Sequence, residues 1–260
     1  MATFETIAQG MILVRIAASR VARAAQPGQF VQRRGHVIEG LVSDDGRAQT
    51  TPFDPQPYPI LSVDTASGEI AVLAVTDGGD DSAITSTPTG LEWAVRGPLG
   101  KAVTVDPAAR HVAFIAQGGG IGSLIAVMRE TAERGVRVTL LAGAENAWQL
   151  YPSHLLPEGV REMTATDDGS AGIRAPVTHL LPQIQDEADV LIASGPPKLY
   201  ADLARMRADG LLTIPTTVLV LPQLECRDGQ CGACAVQTAD GSRFACVEGP
   251  AFDLDEVEWS

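Results

Sequence analysis

The stretch HVAFIAQGGGIGSLIAVMRETAERGVRVTLLAG, residues 111–143, decides the fold of half of the chain. It begins with the apolar run HVAFIA, passes through a glycine-rich turn, and continues with apolar residues spaced as on one face of a helix. A second apolar run, VRVTLLAG, follows that helix. Two short apolar runs joined by an amphipathic helix predict a βαβ unit, and hence a parallel sheet.

The same pattern continues toward the C terminus. After the looser stretch APVTHLLPQI, the run ADVLIASGPP predicts a strand and turn, KLYADLARMRADG a helix, and IPTTVLVLP a last strand. We therefore expect an α/β domain over residues 103–223, with helices on both faces of its sheet.

Residues 1–102 have a different pattern. Short apolar or alternating runs, among them PYPILSVD and GEIAVLAV, are separated by turn residues. This pattern is typical of small antiparallel strands, and it predicts a β barrel for the N-terminal part of the chain.

The charge balance excludes some partners. The 260 residues include 32 acidic and 19 basic side chains, a formal charge of -13 that would repel nucleic acid. The apolar runs are too short to span a bilayer, and Arg15, Arg20 and Arg23 interrupt the N-terminal one, which argues against a signal peptide. We expect a soluble, cytoplasmic protein without membrane insertion.

All four cysteines lie within residues 226–246. Cys226, Cys231, Cys234 and Cys246 have the spacing C-x4-C-x2-C-x11-C, which is close to the arrangement that holds a [2Fe–2S] cluster in plant-type ferredoxins. A structural zinc site is an alternative, although such sites usually have two tight pairs and this segment has one. Unligated buried thiols are a second alternative. The spacing favours the iron–sulfur cluster, in a C-terminal segment of residues 224–260 with a hairpin around Asp240 and Gly241.

Four glycines, at positions 118, 119, 120 and 122, follow a predicted strand and open a predicted helix. Such a turn can direct backbone N–H groups and the helix N terminus at a pyrophosphate, but it also occurs as a simple tight connection. It departs from G-x-G-x-x-G because Ser123 takes the place of the last glycine. The SGPP turn of residues 194–197 also lies between a strand and a helix. Two such turns on one sheet edge favour a nucleotide crevice.

A family resemblance is carried by six motifs in one order. They are PGQFV (27–31), GPLG (97–100), GGGIG (118–122), TDDGSAG (166–172), SGPP (194–197) and the cysteine segment. The chain resembles ferredoxin-reductase-type flavoproteins over nearly its whole length. More narrowly, it is similar to the electron-transfer subunits of dihydroorotate dehydrogenase and to the small subunits of NADH-dependent ferredoxin:NADP oxidoreductase, also called sulfide dehydrogenase. The tail CGACAVQTADGSRFACVEGPAFDLDEVEW favours the second branch.

The resemblance implies FAD in the barrel, NAD(H) on the parallel-sheet domain, and a [2Fe–2S] cluster that exchanges electrons with a larger catalytic subunit. The positions that match the family's FAD contacts are Pro59, Ile60, Leu61, Ser62, Gly79, Ser82 and Gly97. Those that would line the nicotinamide side are Gly118, Gly119, Gly120, Gly122, Ser194, Gly195 and Pro196. The cluster ligands would be Cys226, Cys231, Cys234 and Cys246.

The chain departs from the family pattern at several of these positions. Tyr58 replaces an arginine of the dihydroorotate branch, Ser194 replaces a common cysteine, and Cys226 stands where the other branch often has aspartate. Asp80 and Asp81 lie beside the predicted pyrophosphate contact. Glu145 and Asn146 occupy the place where a 2′-phosphate would require a basic residue, which favours NAD over NADP.

Three functions follow, from different classes. The leading prediction is an NAD(H)-dependent oxidoreductase subunit, in which none of the four histidines needs a catalytic role. The alternatives are a relay or docking subunit without productive NAD(H) binding, and a regulatory module stabilised by zinc.

Overall fold

The computed structural model describes residues 2–33, 37–42, 48–50, 56–76, 93–224 and 231–259. Three of the predicted site residues, Gly79, Ser82 and Cys226, lie outside these ranges. Among the described helices, none combines the length and apolar character needed to cross a bilayer.

The N-terminal part is a six-stranded antiparallel sheet in the order β1-β2-β7-β6-β3-β8, with a separate β4-β5 pair. A short helix α1, Ser19–Ala24, follows the second strand. The barrel-like antiparallel sheet that the sequence predicts is thus confirmed at this level. The strands are β1 Ala2–Ala8, β2 Met11–Ala17, β3 Phe30–Arg33, β4 Val37–Val42, β5 Ala48–Thr50, β6 Pro57–Asp64, β7 Glu69–Val75 and β8 Val95–Leu99.

The interior of this sheet is filled by alternate residues of its strands. Val14 and Ile16 of β2 and Ile70 and Val72 of β7 are at most 1% exposed, because a strand turns every second side chain to the same face. Tyr58 also lies inside, with its ring centroid 5.2 Å from that of Trp93. The position that holds arginine in the dihydroorotate branch is therefore part of the barrel core in this chain.

The second part is a seven-stranded sheet in the order β12-β11-β10-β9-β13-β14-β17. All its pairs are parallel except the last, β14 with β17. Two helices belong to it, α2 Ile121–Glu133 and α3 Pro197–Ala208, with 3-10 turns at Gly118–Gly120, Ala147–Gln149, Ser153–Leu155 and Val177–Gln183. The strands are β9 His111–Gln117, β10 Arg137–Ala144, β11 Val160–Thr166, β12 Ile173–Arg174, β13 Val190–Ser194, β14 Thr216–Leu219 and β17 Ala251–Asp253.

Helices cover both faces of the parallel sheet, as the sequence predicts. Val112 and Phe114 of β9 pack with α2 in one core, which also includes Leu73 of the barrel. Ala113, between them, points to the opposite face and packs in the core that contains Leu203 of α3. Barrel and α/β part therefore meet across α2. The looser stretch APVTHLLPQI forms a 3-10 helix, with Pro182 inside it.

The C-terminal segment forms a hairpin of β15 Ala235–Thr238 and β16 Gly241–Phe244, followed by β17. Thr238 pairs with Gly241, so the two turn residues are Ala239 and Asp240, one position earlier than the sequence predicts. Gly241 begins the second strand with a φ of 111°, which favours glycine. Through β17, this segment also completes the edge of the parallel sheet.

A prediction about stability arises at the amino end of β9. The Asp189 carboxylate accepts the backbone N–H groups of Arg110, at 2.7 Å, and His111, at 2.9 Å. These two hydrogen bonds hold the pKa of this exposed carboxyl below its ordinary value, and the one from Arg110 has the larger effect. Because the folded-state pKa is the lower one, the stabilisation is present above the unfolded-state pKa of about 3.9 and disappears as the pH falls through the folded-state pKa.

We therefore expect Asp189→Asn to melt at a lower temperature than the wild-type protein at about pH 7, with a difference that shrinks toward about pH 3. Circular dichroism during thermal unfolding measures the melting temperatures of the variant and of the wild type at each pH. Asp186→Asn, a change at an exposed carboxylate on the same loop, is the matched control and should leave the melting temperature unchanged. A difference between Asp189→Asn and wild type that is independent of pH would contradict the prediction.

Candidate functional site

The hairpin of the C-terminal segment brings two of the four cysteines together. Cys234 directly precedes β15 and Cys246 follows β16, so antiparallel pairing of Ala235 with Phe244 places both at the open end of the hairpin. The N–H of Ala245 donates to the carbonyl oxygen of Cys234 at 3.0 Å. The two Sγ atoms are 3.2 Å apart, close enough for both to bind one metal centre.

Cys231 is exposed, in contrast to Cys234 and Cys246. Gly232 follows it with a φ of 73°, a left-handed conformation that a residue with a Cβ adopts only at a cost. This conformation turns the chain so that the N–H of Ala233 donates to the Sγ of Cys231 at 3.4 Å. N–H groups directed at thiolate sulfurs are characteristic of iron–sulfur sites, where they tune the reduction potential.

The set of donors fits a cluster of iron and sulfide. Cys234 is buried, Cys246 is partly buried and Cys231 is exposed. Soft thiolates select iron–sulfur clusters or zinc. Within the described residues no group of three or more possible ligands is assembled around one point, and Cys226 lies outside them.

The cysteine segment is joined to the barrel by backbone hydrogen bonds. The N–H of Gly100 donates to the carbonyl oxygen of Cys246 at 2.9 Å, and the N–H of Lys101 donates to that of Gly249 at 2.5 Å. The side chain of Gln29, in the PGQFV motif, donates to the carbonyl oxygen of Gly100 at 2.6 Å. The PGQFV and GPLG motifs therefore form the support on which the cysteine loop rests.

This support bounds the distance between β6 and the cysteines. Strand β3 lies between β6 and β8, and β8 leads directly into the residue that is bonded to Cys246. Neighbouring strands are about 4.8 Å apart, so two strand spacings and one hydrogen-bonded contact separate β6 from Cys246 by at most roughly 15 Å.

The β6 strand, which contains four of the predicted FAD contacts, has a bulge. Ile60 pairs with Val72 and Ser62 with Ala71, so Leu61 is the extra residue. The carbonyl oxygen of Leu61 accepts a hydrogen bond from the guanidinium of Arg129 at 2.8 Å. Bulges of this kind redirect side chains and are frequent beside functional sites.

The four residues of β6 differ in what they offer a ligand. The side chain of Ile60 is buried in the barrel core, and that of Leu61 in the core shared with α2. Ser62 is half-buried and borders a cleft of about 280 Å³ between β6 and α2. Arg129, Glu130 and Glu133 of α2 line the opposite wall, so the cleft combines an apolar side, a hydroxyl, a cation and two carboxylates.

Gly97 lies in a second bulge. Phe30 pairs with Leu99 and Gln32 with Arg96, so Gly97 and Pro98 together face the single residue Val31. A Cβ at Gly97 would be 2.8 Å from Cγ1 of Val31. Glycine is therefore needed here for the close approach of β8 to β3.

The two glycine-containing turns meet at the point where the strand order of the parallel sheet reverses. From β9 the chain proceeds to β10 and β11 on one side, and then returns to β13 and β14 on the other. In open α/β sheets the crevice at the carboxyl ends of such strands is where nucleotides bind. Gly118–Gly120 and Ser194–Pro196 stand at those ends of β9 and β13, so both turns lie on one edge of the sheet, while their contact with a nucleotide stays a prediction.

The four glycines of the first turn differ in what surrounds them. A Cβ at Gly119 would be 2.4 Å from Cγ2 of Val75, and one at Gly122 would be 2.9 Å from Cδ2 of Leu73 and 3.5 Å from Cγ of Pro59. These two glycines allow α2 to approach the barrel closely. At Gly118, with a φ of 54°, a Cβ would meet no atom of the described residues within 4 Å, so the turn is open on that side.

The N termini of both helices at the switch point are partly satisfied by their own backbone: the N–H of Ile121 in α2 donates to the carbonyl oxygens of Gly118 and Gly119, and the N–H of Leu199 in α3 to that of Pro196. No side chain within the described residues caps α2 or α3, and neither first turn has an acidic residue. A helix N terminus carries a partial positive charge and attracts phosphate groups. Together with the open side at Gly118, this arrangement fits a dinucleotide whose pyrophosphate lies at the switch point.

Tyr200 positions the second turn and was not predicted from the sequence. Its hydroxyl accepts the N–H of Gly195 at 3.1 Å and donates to the carbonyl oxygen of Leu219 at 2.6 Å. Burial raises the pKa of Tyr200, so its hydroxyl keeps the proton that it donates to Leu219. The ring of Trp259 packs against it at 5.2 Å between centroids. The one signal in the sequence is an aromatic residue in the first turn of α3.

Comparison with known proteins agrees with this arrangement. The model of the iron–sulfur cluster binding domain of dihydroorotate dehydrogenase B matches residues 222–258, which include all four cysteines. A solved structure of NADH-dependent reduced ferredoxin-NADP oxidoreductase, described for flavin-based electron bifurcation, has a TM-score of 0.80 at 24% identity, covering 99% of this chain and 88% of that one. At this identity the likeness shows the fold alone, which is that of ferredoxin reductases.

Two curated relatives have the same name, dihydroorotate dehydrogenase B (NAD(+)), electron transfer subunit. The protein from Desulforamulus reducens is 28% identical over 246 residues, which cover 92% of this chain and 89% of the relative. The protein from Geobacillus thermodenitrificans is 30% identical over 259 residues, 96% of this chain and 94% of the relative. The chain therefore belongs to the family of dihydroorotate dehydrogenase B (NAD(+)) electron transfer subunits.

Proposed function

We propose that this protein is the electron-transfer subunit of an oxidoreductase complex and carries electrons between NAD(H) and a larger catalytic subunit, with FAD and a [2Fe–2S] cluster as its cofactors. The observation that carries the proposal is the contiguity of the three sites. Gly122, at the start of α2, faces Leu73 and Pro59 of the barrel, and Gly100, directly after β8, donates its N–H to the carbonyl oxygen of Cys246.

Contiguity matters because NADH gives up two electrons as a hydride, whereas a cluster takes one; a flavin handles both. The contribution of the chain is to hold the sites for NAD(H), FAD and the cluster next to one another in that order. Gly119 and Gly122 hold α2 against the barrel, and Gln29 and Gly100 hold the cysteine loop against the same barrel from another side. A catalytic acid or base is not required for this task.

The proposed residues follow from these positions. Residues 1–102 would bind FAD, residues 103–223 NAD(H), and residues 224–260 the cluster, with the cysteines at 226, 231, 234 and 246 as its ligands. Glu145, after the second strand of the sheet, favours NAD(H) because a carboxylate would repel a 2′-phosphate. Thiolate ligands need a reducing compartment, so we propose that the complex works in the cytoplasm.

The partner would dock beside the cluster. Two apolar side chains flank Cys246 at the surface: Phe244 is 39% exposed and Val247 is 59% exposed. Apolar residues left at the surface next to a redox centre suit a protein interface that brings a second redox centre close. The relatives are named as electron transfer subunits of dihydroorotate dehydrogenase B. Copurification of this chain with its catalytic subunit would identify the partner of this chain.

Anaerobic mixing with NADH tests the proposal. We expect the protein as isolated to show flavin and iron–sulfur absorbance, NADH to bleach the flavin band, and the EPR signal of a reduced cluster to follow. A protein that contains both cofactors, but whose flavin NADH does not bleach, would instead be a relay or docking subunit without productive NAD(H) binding. A colourless protein with one zinc and no iron would establish the regulatory module.

A further inference from the structure

One large aromatic side chain beside the switch point has no role in the function proposed above. Trp148, in the 3-10 turn Ala147–Gln149 that follows β10, is 78% exposed. An indole carries a large apolar surface, so leaving it in water costs free energy that a bound ligand can recover. The structure around this residue indicates which ligand that is.

The backbone that carries the indole is held from three directions. The N–H of Trp148 donates to the side-chain oxygen of Asn146 at 3.0 Å, and its carbonyl oxygen accepts the N–H of Gln9, from the barrel, at 2.9 Å. The N–H of Ala147 donates to the hydroxyl of Ser170 at 2.8 Å. Ser170 is in turn bonded to the Asp168 carboxylate at 2.6 Å. An exposed ring on a fixed backbone binds with little loss of conformational entropy.

The place of Trp148 in the chain, after β10, corresponds to one end of a dinucleotide bound at the switch point. β10 is the neighbour of β9, and Gly143 near its carboxyl end pairs with Gln117, which directly precedes the glycine turn. Glu145 comes next, where an acidic residue typically binds the ribose 2′-hydroxyl of NAD. Trp148 follows Glu145 by three residues, in the direction away from the glycine turn of the pyrophosphate site. The base of the same nucleotide is the group that must be bound next to that ribose.

We propose that Trp148 stacks against the adenine of NAD(H). The inference rests on the proposed NAD(H) function and deepens it, by assigning the adenine end of the cofactor to a residue outside the glycine turns. Aromatic rings and bases stack face to face through their π surfaces, and removal of such a ring weakens binding by about 5- to 100-fold. Trp148 thus contributes to the affinity for the adenine end of NAD(H) and takes no part in hydride transfer from the nicotinamide.

The experiment uses the holoprotein and two fragments of the cofactor. ADP-ribose contains the adenine without the nicotinamide, and reduced nicotinamide mononucleotide contains the nicotinamide without the adenine. Calorimetry should show that Trp148→Ala raises the Kd for ADP-ribose by about 5- to 100-fold, while Trp148→Tyr, which keeps an aromatic ring, retains most of the affinity. Reduction of the flavin by the mononucleotide should be the same in all three proteins.

Leu211→Ala is the matched control, because Leu211 is also an exposed apolar residue, at 58%, but precedes β14 at the amino edge of the sheet. It should bind ADP-ribose as the wild type does. Wild-type affinity in Trp148→Ala would overturn the inference alone, as would an equal loss for both fragments. A wild-type protein that binds neither fragment would overturn the proposed NAD(H) function, and this inference with it.

Discussion

Replacing Cys246 with alanine is expected to abolish the [2Fe–2S] cluster while the protein still binds FAD and reduces it with NADH. Four protein ligands are needed to complete the coordination of two irons, alanine supplies none, and Cys246 Sγ lies 3.2 Å from Cys234 Sγ. Iron should fall from about two per chain to near zero, with loss of the EPR signal of the reduced cluster. The barrel and the switch point do not depend on this thiol, so bleaching of the flavin should continue.

Two further variants make this result specific. Ser242→Ala changes a neighbouring exposed residue of the same hairpin, whose hydroxyl donates to the side-chain oxygen of Gln237 at 2.9 Å, and it should keep its full iron content. Cys226→Asp is expected to keep a cluster with a shifted reduction potential, because a carboxylate can replace one thiolate as a ligand. Loss of all iron in Cys226→Asp would count against the assignment of position 226 as a ligand that a carboxylate can replace. Iron retained in Cys246→Ala would contradict the proposed set of four ligands.

Much of the architecture could be predicted because it depends on local pattern. The run from His111 to Gly143 has the periodicity of strand, helix and strand, and the structure forms these three elements with a parallel β9-β10 pair. The proximity of the last two cysteines could also be predicted from their spacing. An antiparallel hairpin with a two-residue turn brings residues 234 and 246 to its open end, and this follows from the sequence once the turn is recognised.

The contacts that join the parts could not be predicted in the same way. Glycines at 119 and 122 match a phosphate-binding turn in the sequence, yet in the structure they make room for Val75 and Leu73 of the barrel. Which atoms a glycine faces depends on residues far away in the chain, and no local pattern records them. Tyr200 and the bulge at Leu61 are of the same kind, since both depend on the register of distant strands. The preference for the ferredoxin:NADP oxidoreductase branch stays a prediction.

Gly120→Ala is expected to weaken binding of NADH and of ADP-ribose and to slow flavin reduction by NADH by about 100-fold, the order of effect that a misplacement of about 1 Å has on a reaction rate. Gly120 has φ and ψ of -57° and -23°, which any residue adopts, so alanine brings no backbone strain of its own. Its Cβ would, however, lie 2.3 Å from the carbonyl oxygen of Ser194 and 2.7 Å from the Cα of Gly195. Both atoms belong to the backbone, so the two turns of the switch point must move apart.

Calorimetry with ADP-ribose and the rate of flavin bleaching by NADH measure this effect, and the contents of FAD and iron should not change. Gly135→Asn is the matched control: Gly135 follows α2 with a φ of 76°, asparagine tolerates this conformation, and a Cβ there would meet no atom of the described residues within 4 Å. It should bind both ligands as the wild type does. If Gly120→Ala retained wild-type affinity, NAD(H) would bind away from the contact between the two turns, and the switch point would be only a packing feature of the sheet.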